Sequence, residues 1–479
     1  MRRNRINARC SGLWAMSLAA VMVTVAGEAF AQEKQEDDFR CGPGHVRAFD
    51  LKGNKLWDFQ PKGLTHCIKL GEDDTVYVLS SCYRGHRGIG LDATHVESRL
   101  YALDSKTGKL RWEFLKEGHL LTLPILAGQN IVFEPYKFRY TGAAQVTPDP
   151  GIFCLDTKTG RVKWKYPLPH FLAGVPPLAV ADNMVFETYA EKPNPYVSKI
   201  LVLDLESGKR LNVISLGELL GTDVAFVGAW SPGKEIIISV FRGGTSSAFE
   251  LMALDNLSGK ILWQVHERRA YIPVADDGKV LRLDGKVFFQ DSGLRCFGVI
   301  SGHMIWKLEG NWSVDPKPIK VDGKWMLWTP AKGGPETKFS LIDTETGKMV
   351  DPKDYRPRQG HAIPPAKDLV YSSGSRKRDE GWKLTCFDRW AGKVVWETAT
   401  DANDPLYAEG KVYHIARGQL ECSDALTGRP EWSAEARAGR GVKEWEYGRL
   451  QVGGVGKGII AVFGFSDVPT LPGPDYQNP

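Results

Sequence analysis

Basic and aromatic side chains are concentrated in five segments that separate runs of regular hydrophobic pattern. These segments are 83–98, 135–150, 188–198, 331–338 and 372–382. Arginine can bind a carboxylate through two parallel hydrogen bonds, and tyrosine or tryptophan adds a rigid surface that is partly apolar and partly polar. This chemistry suits the binding of an acidic partner or an anionic ligand. The predicted binding residues are Arg84, His86, Arg87, Tyr136, Arg139, Tyr140, Tyr189, Tyr196, Arg376, Arg378 and Trp382.

The motifs that would indicate catalysis are missing from the sequence. There is no H-E-x-x-H, no phosphate-binding loop, no G-x-S-x-G, no EF-hand loop and no C-x-x-C-H haem attachment site. His86 and His95 share a segment with Asp92 and Glu97, but the ten histidines do not cluster at metal-ligand spacings. A solvated polar loop is the preferred interpretation of that segment and a metal site is the alternative. No catalytic residue is predicted.

The elements that must position these segments are copies of one repeat, of which "YALDSKTGKLRW" (101–112) is a clear example. Nine copies follow one another at intervals of 36 to 55 residues, which includes the period of roughly 40–50 residues typical of propeller blades. Each copy is anchored on a glycine: Gly53, Gly108, Gly160, Gly208, Gly259, Gly302, Gly347, Gly392 and Gly428.

The residue types within each copy predict two strands joined by a tight turn. An apolar run precedes an aspartate, whose carboxylate can accept hydrogen bonds inside the turn, and the glycine can adopt a positive φ. A second hairpin lies upstream, as in "VLRLDGKVFFQD" (280–291). Each unit therefore has four antiparallel strands, called A to D, with tight A–B and C–D turns on one face. The B–C and D–A connections, which carry the insertions, lie on the other face. The predicted fold is an all-β propeller.

The pattern A-x-D-x-x-T-G-K-x-x-W resembles the quinoprotein-type (PQQ-like) propeller repeat over almost the whole chain. The resemblance implies that the tryptophan four residues after the glycine docks between neighbouring blades and is structural. Seven copies have it: Trp57, Trp112, Trp164, Trp263, Trp306, Trp396 and Trp432. The resemblance also raises PQQ with calcium as a cofactor. However, the vicinal Cys-Cys pair that catalytic members often carry is missing, and no ligand set supports the cofactor, so none is predicted.

The blade count is predicted as eight, the usual number in related proteins, with nine as the alternative from a literal count of repeats. The chain begins with strands of C and D type ("HVRAFDLKGNKLWDF", 45–59) and ends with strands of A and B type (449–465). This arrangement predicts that the N- and C-terminal strands share a blade, which would leave no free sheet edge.

The N-terminal 31 residues have the pattern of a secretory signal peptide. Four arginines precede an apolar stretch, and Ala29-Phe30-Ala31 forms an A-x-A cleavage site. A polar tail (32–40), the propeller (41–466) and a Pro-rich tail (467–479) follow. Cleavage would remove four arginines and one glutamate and lower the net charge from +5 to about +2, which argues against nucleic-acid binding. No second apolar segment is long enough to span a membrane, so a monomeric periplasmic or secreted protein is expected.

The cysteines fall into two groups. Cys154, Cys296, Cys386 and Cys422 each lie six residues before a repeat glycine, where other copies have alanine or valine, so they are predicted to be small buried residues. Cys41, Cys67 and Cys82 do not follow this pattern. An exported protein permits one disulfide among these three, and the sequence does not select the pair.

Two classes of function agree with these features. The preferred one is an exported, non-catalytic scaffold that binds an envelope protein or an anionic ligand on the B–C/D–A face. In fold it is similar to the propeller subunit of the outer-membrane β-barrel assembly machine. The alternative is an enzyme, either a divergent quinoprotein oxidoreductase or another propeller enzyme that acts on a small or carbohydrate substrate.

Overall fold

Antiparallel β-sheet makes up almost all of the secondary structure in the computed structural model, which confirms the predicted all-β propeller class. A single short helix, α1 (Leu216–Leu220), occurs in the described part of the chain. The structure describes residues 39–40, 44–84, 96–136, 151–168, 178–190, 198–220, 224–231, 233–242, 248–268, 281–290, 293–309, 317–321, 324–330, 339–350, 369–374, 383–388, 393–399, 405–416, 418–436, 451–456 and 458–464.

The first half of the chain supplies four sheets, each built from consecutive strands. Sheet 1 contains β4 (Leu64–Leu70), β5 (Thr75–Arg84), β6 (Val96–Asp104) and β7 (Leu110–Glu117), with β1 (Phe39–Arg40) also on β5. Sheet 2 contains β9 (Ile125–Ala127), β10 (Asn130–Phe133), β12 (Gly151–Asp156) and β13 (Val162–Pro167). Sheet 3 contains β14 (Ala179–Ala181), β15 (Met184–Ala190), β16 (Ser198–Asp204) and β17 (Arg210–Ser215). Sheet 4 contains β18 (Val224–Ser231), β19 (Glu235–Arg242), β20 (Ala248–Asp255) and β21 (Ile261–Arg268).

The second half continues in the same way. Sheet 5 contains β22 (Arg282–Leu283), β23 (Lys286–Gln290), β24 (Gly293–Gly298) and β25 (Met304–Glu309). Sheet 6 contains β26 (Lys317–Val321), β27 (Lys324–Pro330), β28 (Phe339–Asp343) and β29 (Met349–Val350). Sheet 7 contains β30 (Leu369–Gly374), β31 (Lys383–Asp388) and β32 (Lys393–Ala399). Sheet 8 contains β33 (Leu406–Ala408), β34 (Lys411–Ala416), β35 (Gln419–Asp424) and β36 (Pro430–Glu435). A separate two-stranded sheet pairs β8 (Leu120–Leu121) with β11 (Pro135–Tyr136).

Sheet 9 joins strands from the two ends of the chain. It contains β37 (Gln451–Gly456), β38 (Ile459–Gly464), β2 (His45–Asp50) and β3 (Lys55–Phe59), in that spatial order. Strands β2 and β38 pair in a continuous antiparallel register from His45 opposite Gly464 to Asp50 opposite Ile459. The described residues thus form nine sheets of blade type. The prediction of eight blades is not confirmed, and the observed number equals the literal count of repeats.

The repeat turn owes its shape to the aspartate and the glycine. In the turn between β6 and β7, Asp104 Oδ1 accepts hydrogen bonds from the backbone N–H of Thr107 at 2.9 Å and from its hydroxyl at 2.8 Å. Gly108 has a φ of 68° and donates its N–H to the carbonyl of Asp104 at 2.8 Å. The side-chain hydrogen bond from Arg111, together with those from Thr107, holds the pKa of the Asp104 carboxyl well below its ordinary value.

The seven repeat tryptophans each form a contact between their own sheet and the next. Trp57 Nε1 of sheet 9 donates a hydrogen bond to the carbonyl of Ser105 in sheet 1, at 2.8 Å. The same bond joins further neighbouring sheets through the pairs Trp112–Thr157, Trp164–Leu205, Trp263–Val299, Trp306–Thr344, Trp396–Ala425 and Trp432–Leu51. Asn212 replaces the tryptophan in sheet 3 and donates to the carbonyl of Asn256 at 3.3 Å. Asp351, the other replacement, lies outside the described residues.

The core consists of apolar layers between neighbouring sheets, because successive side chains of a strand point to opposite faces. In β15, Val185 packs against Val132 of sheet 2, whereas Phe186 packs against Ile236 of sheet 4. Cys154, Cys296, Cys386 and Cys422 are fully buried, which confirms the prediction for these four residues. Burial raises the pKa of the Cys154 thiol to about 12.

Two further predictions concern the N-terminal cysteines and the membrane. Cys67 is not part of a disulfide, so Cys67 and Cys82 are not joined to each other. Cys41 lies outside the described residues, as do the predicted signal peptide and the C-terminal tail. Within the described ranges, no helix has the length and apolar character needed to cross a membrane.

Candidate functional site

Most of the predicted binding residues lie outside the part of the chain that the structure describes. This holds for His86, Arg87, Arg139, Tyr140, Tyr196, Arg376, Arg378 and Trp382. Arg84 is the last residue of β5 and lies opposite Phe39 in the strand register, and Tyr136 ends β11 opposite Leu120. Arg84 therefore ends strand B of sheet 1, whereas Tyr136 lies in the separate two-stranded sheet, within the segment that follows strand β10.

Tyr189 is placed differently from the prediction. It was expected on an exposed loop, but it belongs to β15, where it lies opposite Lys199. Its side chain is only 6% exposed and packs in the apolar layer between sheets 2 and 3 with Leu178 and Leu201. The loop assignment is wrong because the pairing of β15 with β16 continues as far as Ala190, beyond the apolar run that marked the strand in the sequence.

Two glutamates that the sequence analysis missed lie in this same layer. Glu134 directly follows β10 in sheet 2, and Glu187 lies within β15 in sheet 3. Their side chains are 4% and 2% exposed, respectively. In the described residues, they are the only acidic side chains that are buried to this extent. Buried carboxyl groups are rare because leaving water disfavours the charged form.

The space between sheets 2 and 3 lies beside both glutamates. Val132 and Val185 both pack in this layer. Glu187 lies two residues beyond Val185 in β15 and so occupies the same face of that strand, and Glu134 lies two residues beyond Val132, immediately after β10. Glu134 acts electrostatically on Glu187, which agrees with a close approach across the layer. Two hydrogen bonds to Thr122 hold the backbone of Glu134. The Glu134 N–H donates to the Thr122 hydroxyl at 2.9 Å, and the Glu134 carbonyl accepts from the Thr122 N–H at 2.8 Å.

The carboxyl oxygens have few hydrogen-bond partners. Glu187 Oε1 accepts a hydrogen bond from the backbone N–H of Thr188 at 3.0 Å, whereas Glu187 Oε2 and Glu134 Oε1 have no hydrogen-bond partner among the residues that the structure describes. Burial raises the pKa of Glu134 to about 8. Burial, and secondarily the charge of Glu134, raises the pKa of Glu187 well above its ordinary value. Two carboxyl groups in such surroundings favour states that retain protons.

The pair does not form a site suited to PQQ and calcium. Its surroundings in the layer include Val132, Ile152 and Val185, which are apolar and fully buried. Calcium requires six to eight oxygen ligands, and the described residues contain no group of three or more acidic, histidine or cysteine side chains that could hold a metal ion. The chemistry available to the pair is the holding and release of protons.

A sequence feature could have revealed these glutamates. Both follow the same dipeptide, in Val132-Phe133-Glu134, just after strand B of sheet 2, and in Val185-Phe186-Glu187, within strand B of sheet 3. A charged residue at the end of an otherwise buried strand is unusual, and its recurrence in consecutive units is a further indication. The approach of the two side chains, however, depends on how sheets 2 and 3 stack.

The fold and the repeat contacts define the class of protein as a PQQ-like β-propeller. The family described as outer membrane protein assembly factor BamB matches the chain over residues 42–216, 140–309 and 290–464. These overlapping matches cover most of the sequence, and the chain belongs to this family. No curated protein matches the sequence significantly.

Solved propeller structures show similarity at low identity. BamB from Moraxella catarrhalis is 14% identical with a TM-score of 0.34, and the match covers 88% of this chain and 89% of that one. A quinohemoprotein alcohol dehydrogenase from Comamonas testosteroni is 14% identical with a TM-score of 0.40, over 71% of this chain and 73% of the other. A europium-containing methanol dehydrogenase is also 14% identical, with a TM-score of 0.38, over 65% and 77% of the two chains.

Proposed function

We propose that the protein is an exported, non-catalytic propeller that acts as a binding scaffold in the cell envelope. The observation that carries the proposal is the family match from residue 42 to residue 464, since that family is described as an assembly factor for outer membrane proteins. The N-terminal signal pattern of residues 1–31 supports export. The proposed partner is an envelope protein or an anionic ligand. The protein is proposed to bind this partner as a monomer.

The proposed docking surface is the B–C/D–A face, which carries the insertion segments. On the opposite face the C–D turns use their polar groups internally. In the turns at Asp156 and Asp255, for example, the carboxylate accepts hydrogen bonds from the hydroxyl and N–H of Thr159 and of Ser258. The insertions begin where Arg84 and Tyr136 end their strands. Side chains on rigid scaffold loops are well placed for binding.

Charge reversal tests this surface. A variant with Arg84, Arg87, Arg376 and Arg378 all changed to Glu should bind its partner at least several-fold more slowly, because opposite charges speed association. The measurement is capture of partners from an envelope extract, identified by mass spectrometry, followed by association kinetics with the captured protein. The fold should be retained, as shown by an unchanged circular dichroism spectrum.

The matched control reverses the same number of charges on the other face. Lys106, Lys109, Lys158 and Lys260 lie in or beside C–D turns and have exposed side chains. Their change to Glu should leave association within about twofold of wild type at physiological salt. If the control variant loses binding and the arginine variant retains it, the docking face has been assigned to the wrong side.

The enzymatic alternative makes a different prediction. A quinoprotein oxidoreductase incubated with PQQ and calcium would show the absorption spectrum of a bound quinone after removal of free cofactor. The scaffold proposal predicts that the protein elutes without this absorption. A stable, stoichiometric quinone spectrum would therefore replace the scaffold proposal with the enzymatic one.

A further inference from the structure

We propose that Glu134 and Glu187 form a proton-dependent latch between sheets 2 and 3. While the pair retains its protons, the two sheets pack closely at this point, and loss of the protons weakens the contact. The inference concerns how the propeller is held together and does not depend on the identity of any partner.

The position of the pair makes it a contact between sheets rather than a feature of one strand. The two glutamates are 53 positions apart in sequence and lie two residues beyond Val132 and Val185, which pack in one apolar layer, and the charge of Glu134 acts on Glu187. Both side chains are buried, and each has an oxygen without a hydrogen-bond partner among the described residues. Two carboxylates facing each other there would repel strongly, since charges interact more strongly in low dielectric. A proton on the pair removes this repulsion.

Among the residues that the structure describes, the other titratable groups that face this layer do not supply a compensating charge. From sheet 2, Cys154 faces it, and burial raises the pKa of this thiol to about 12, so it remains neutral. Tyr166 on β13 and Tyr189 on β15 also pack there. Lys163 on β13 forms an ion pair with Glu206, with 2.7 Å between Nζ and Oε2. Lys199 lies opposite Tyr189 in the register, and the groups that act on Glu187 are Glu134 and the Thr188 N–H.

The direction of the pH dependence follows from the raised pKa values of the two glutamates. Opening of the layer exposes the carboxyl groups to water, where the ordinary pKa of glutamate is 4.5, whereas in the closed layer the pKa of Glu134 is about 8. Between these values the closed form binds more protons than the open form, so rising pH favours opening. The contribution of Glu134 is complete below pH 4.5 and is lost as pH rises through about 8, and the raised pKa of Glu187 makes its contribution change in the same direction.

Hydrogen exchange of the backbone amides in β10 and β15, measured from pH 5 to pH 9 and corrected for intrinsic rates, tests the latch. In the wild type the equilibrium constant for local opening of these strands should rise by up to about tenfold per pH unit for each proton released. The double variant Glu134→Gln/Glu187→Gln should show almost no such rise, since glutamine resembles the protonated acid and does not titrate. Strand β24 in sheet 5 should show little pH dependence in either protein.

A matched variant controls for the loss of a glutamate as such. Glu218 lies in α1 and has an exposed side chain, and Glu218→Gln should keep the wild-type slope. If the double variant does not fold, the single variants Glu134→Gln and Glu187→Gln should each lower the slope by about half. An equal slope in wild type and in the glutamine variants would overturn the proposal.

A second measurement uses only the wild-type protein and so does not depend on whether a variant folds. The infrared carbonyl band of a protonated carboxyl group should be present in the wild type at pH 7 and should weaken as Glu134 loses its proton at a pH of about 8. Its absence at pH 7 would also overturn the latch.

Calcium chloride added at pH 9 provides a final test. If it restores exchange protection in the wild type but not in the double variant, the pair is a cation site and not a proton latch.

Discussion

At the scale of single residues, the repeat tryptophan combines an apolar contact with one hydrogen bond to the next sheet. Trp263 is 8% exposed, packs with Val287 and Phe297, and donates its indole N–H to the Val299 carbonyl at 2.6 Å. Asn212 keeps only the hydrogen bond, at the longer distance of 3.3 Å. The two residues occupy equivalent positions in consecutive sheets, which makes them a natural pair for measuring what the indole ring contributes.

The change Trp263→Ala should lower the free energy of unfolding by roughly 3–5 kcal/mol, as for other large buried aromatic residues. Asn212→Ala should cost about 1 kcal/mol, since it removes the long hydrogen bond to the Asn256 carbonyl and a local one from the Val213 N–H, and it buries no large side chain. Chemical denaturation of both variants and the wild type gives the comparison. Partner binding should survive in Trp263→Ala wherever the variant is folded. A variant that unfolds like wild type but no longer binds would show that the tryptophan is a binding residue.

At the scale of elements, the C–D turn and the last strand of the preceding sheet depend on each other. A Cβ atom added to Gly302 would lie 2.3 Å from Cγ of Trp263, and one added to Gly259 would lie 3.2 Å from Cγ1 of Ile214. Both glycines have a positive φ, of 64° and 71°, so the backbone strain of a substitution is similar at the two positions. The difference between them is the indole ring that lies against the turn.

Gly302→Ala should therefore destabilise the protein by about 1–3 kcal/mol more than Gly259→Ala, because overpacking against a rigid ring is added to the cost of the positive φ. Thermal unfolding of the two variants measures this difference directly. Equal melting temperatures would mean that the indole moves aside without cost and that the close contact does not determine the residue at this position.

At the scale of the whole molecule, sheet 9 depends on strands from both ends of the chain. Removal of residues 449–479 deletes β37 and β38 and leaves β2 with an unpaired edge, and exposed edges promote aggregation. The truncated protein should melt at a lower temperature and form oligomers in size-exclusion chromatography. Removal of residues 467–479 alone should change neither property. A monomeric 449–479 deletion with wild-type melting would contradict the role of the shared sheet.

Much of the fold could be predicted from the sequence because its determinants are local. The Asp104 carboxylate and the positive φ of Gly108 shape a turn from residues four positions apart, and strand β7, which follows the turn, alternates between more and less exposed side chains. The shared sheet could be anticipated because the chain starts and ends with complementary pairs of strands. The number of blades could not be predicted in this way, because a repeat pattern gives the number of units but does not specify which of them join the propeller.

The chain by itself determined the all-β class, the repeated turn and the positions of the tryptophans, since each follows from hydrogen bonding and periodicity within about a dozen residues. Only the tertiary structure decided that Tyr189 is buried and that Glu134 and Glu187 enter one layer. The physical reason is that these facts depend on the stacking of sheets 2 and 3. Stacking brings together residues more than fifty positions apart, and it also sets whether a carboxyl group is in contact with water.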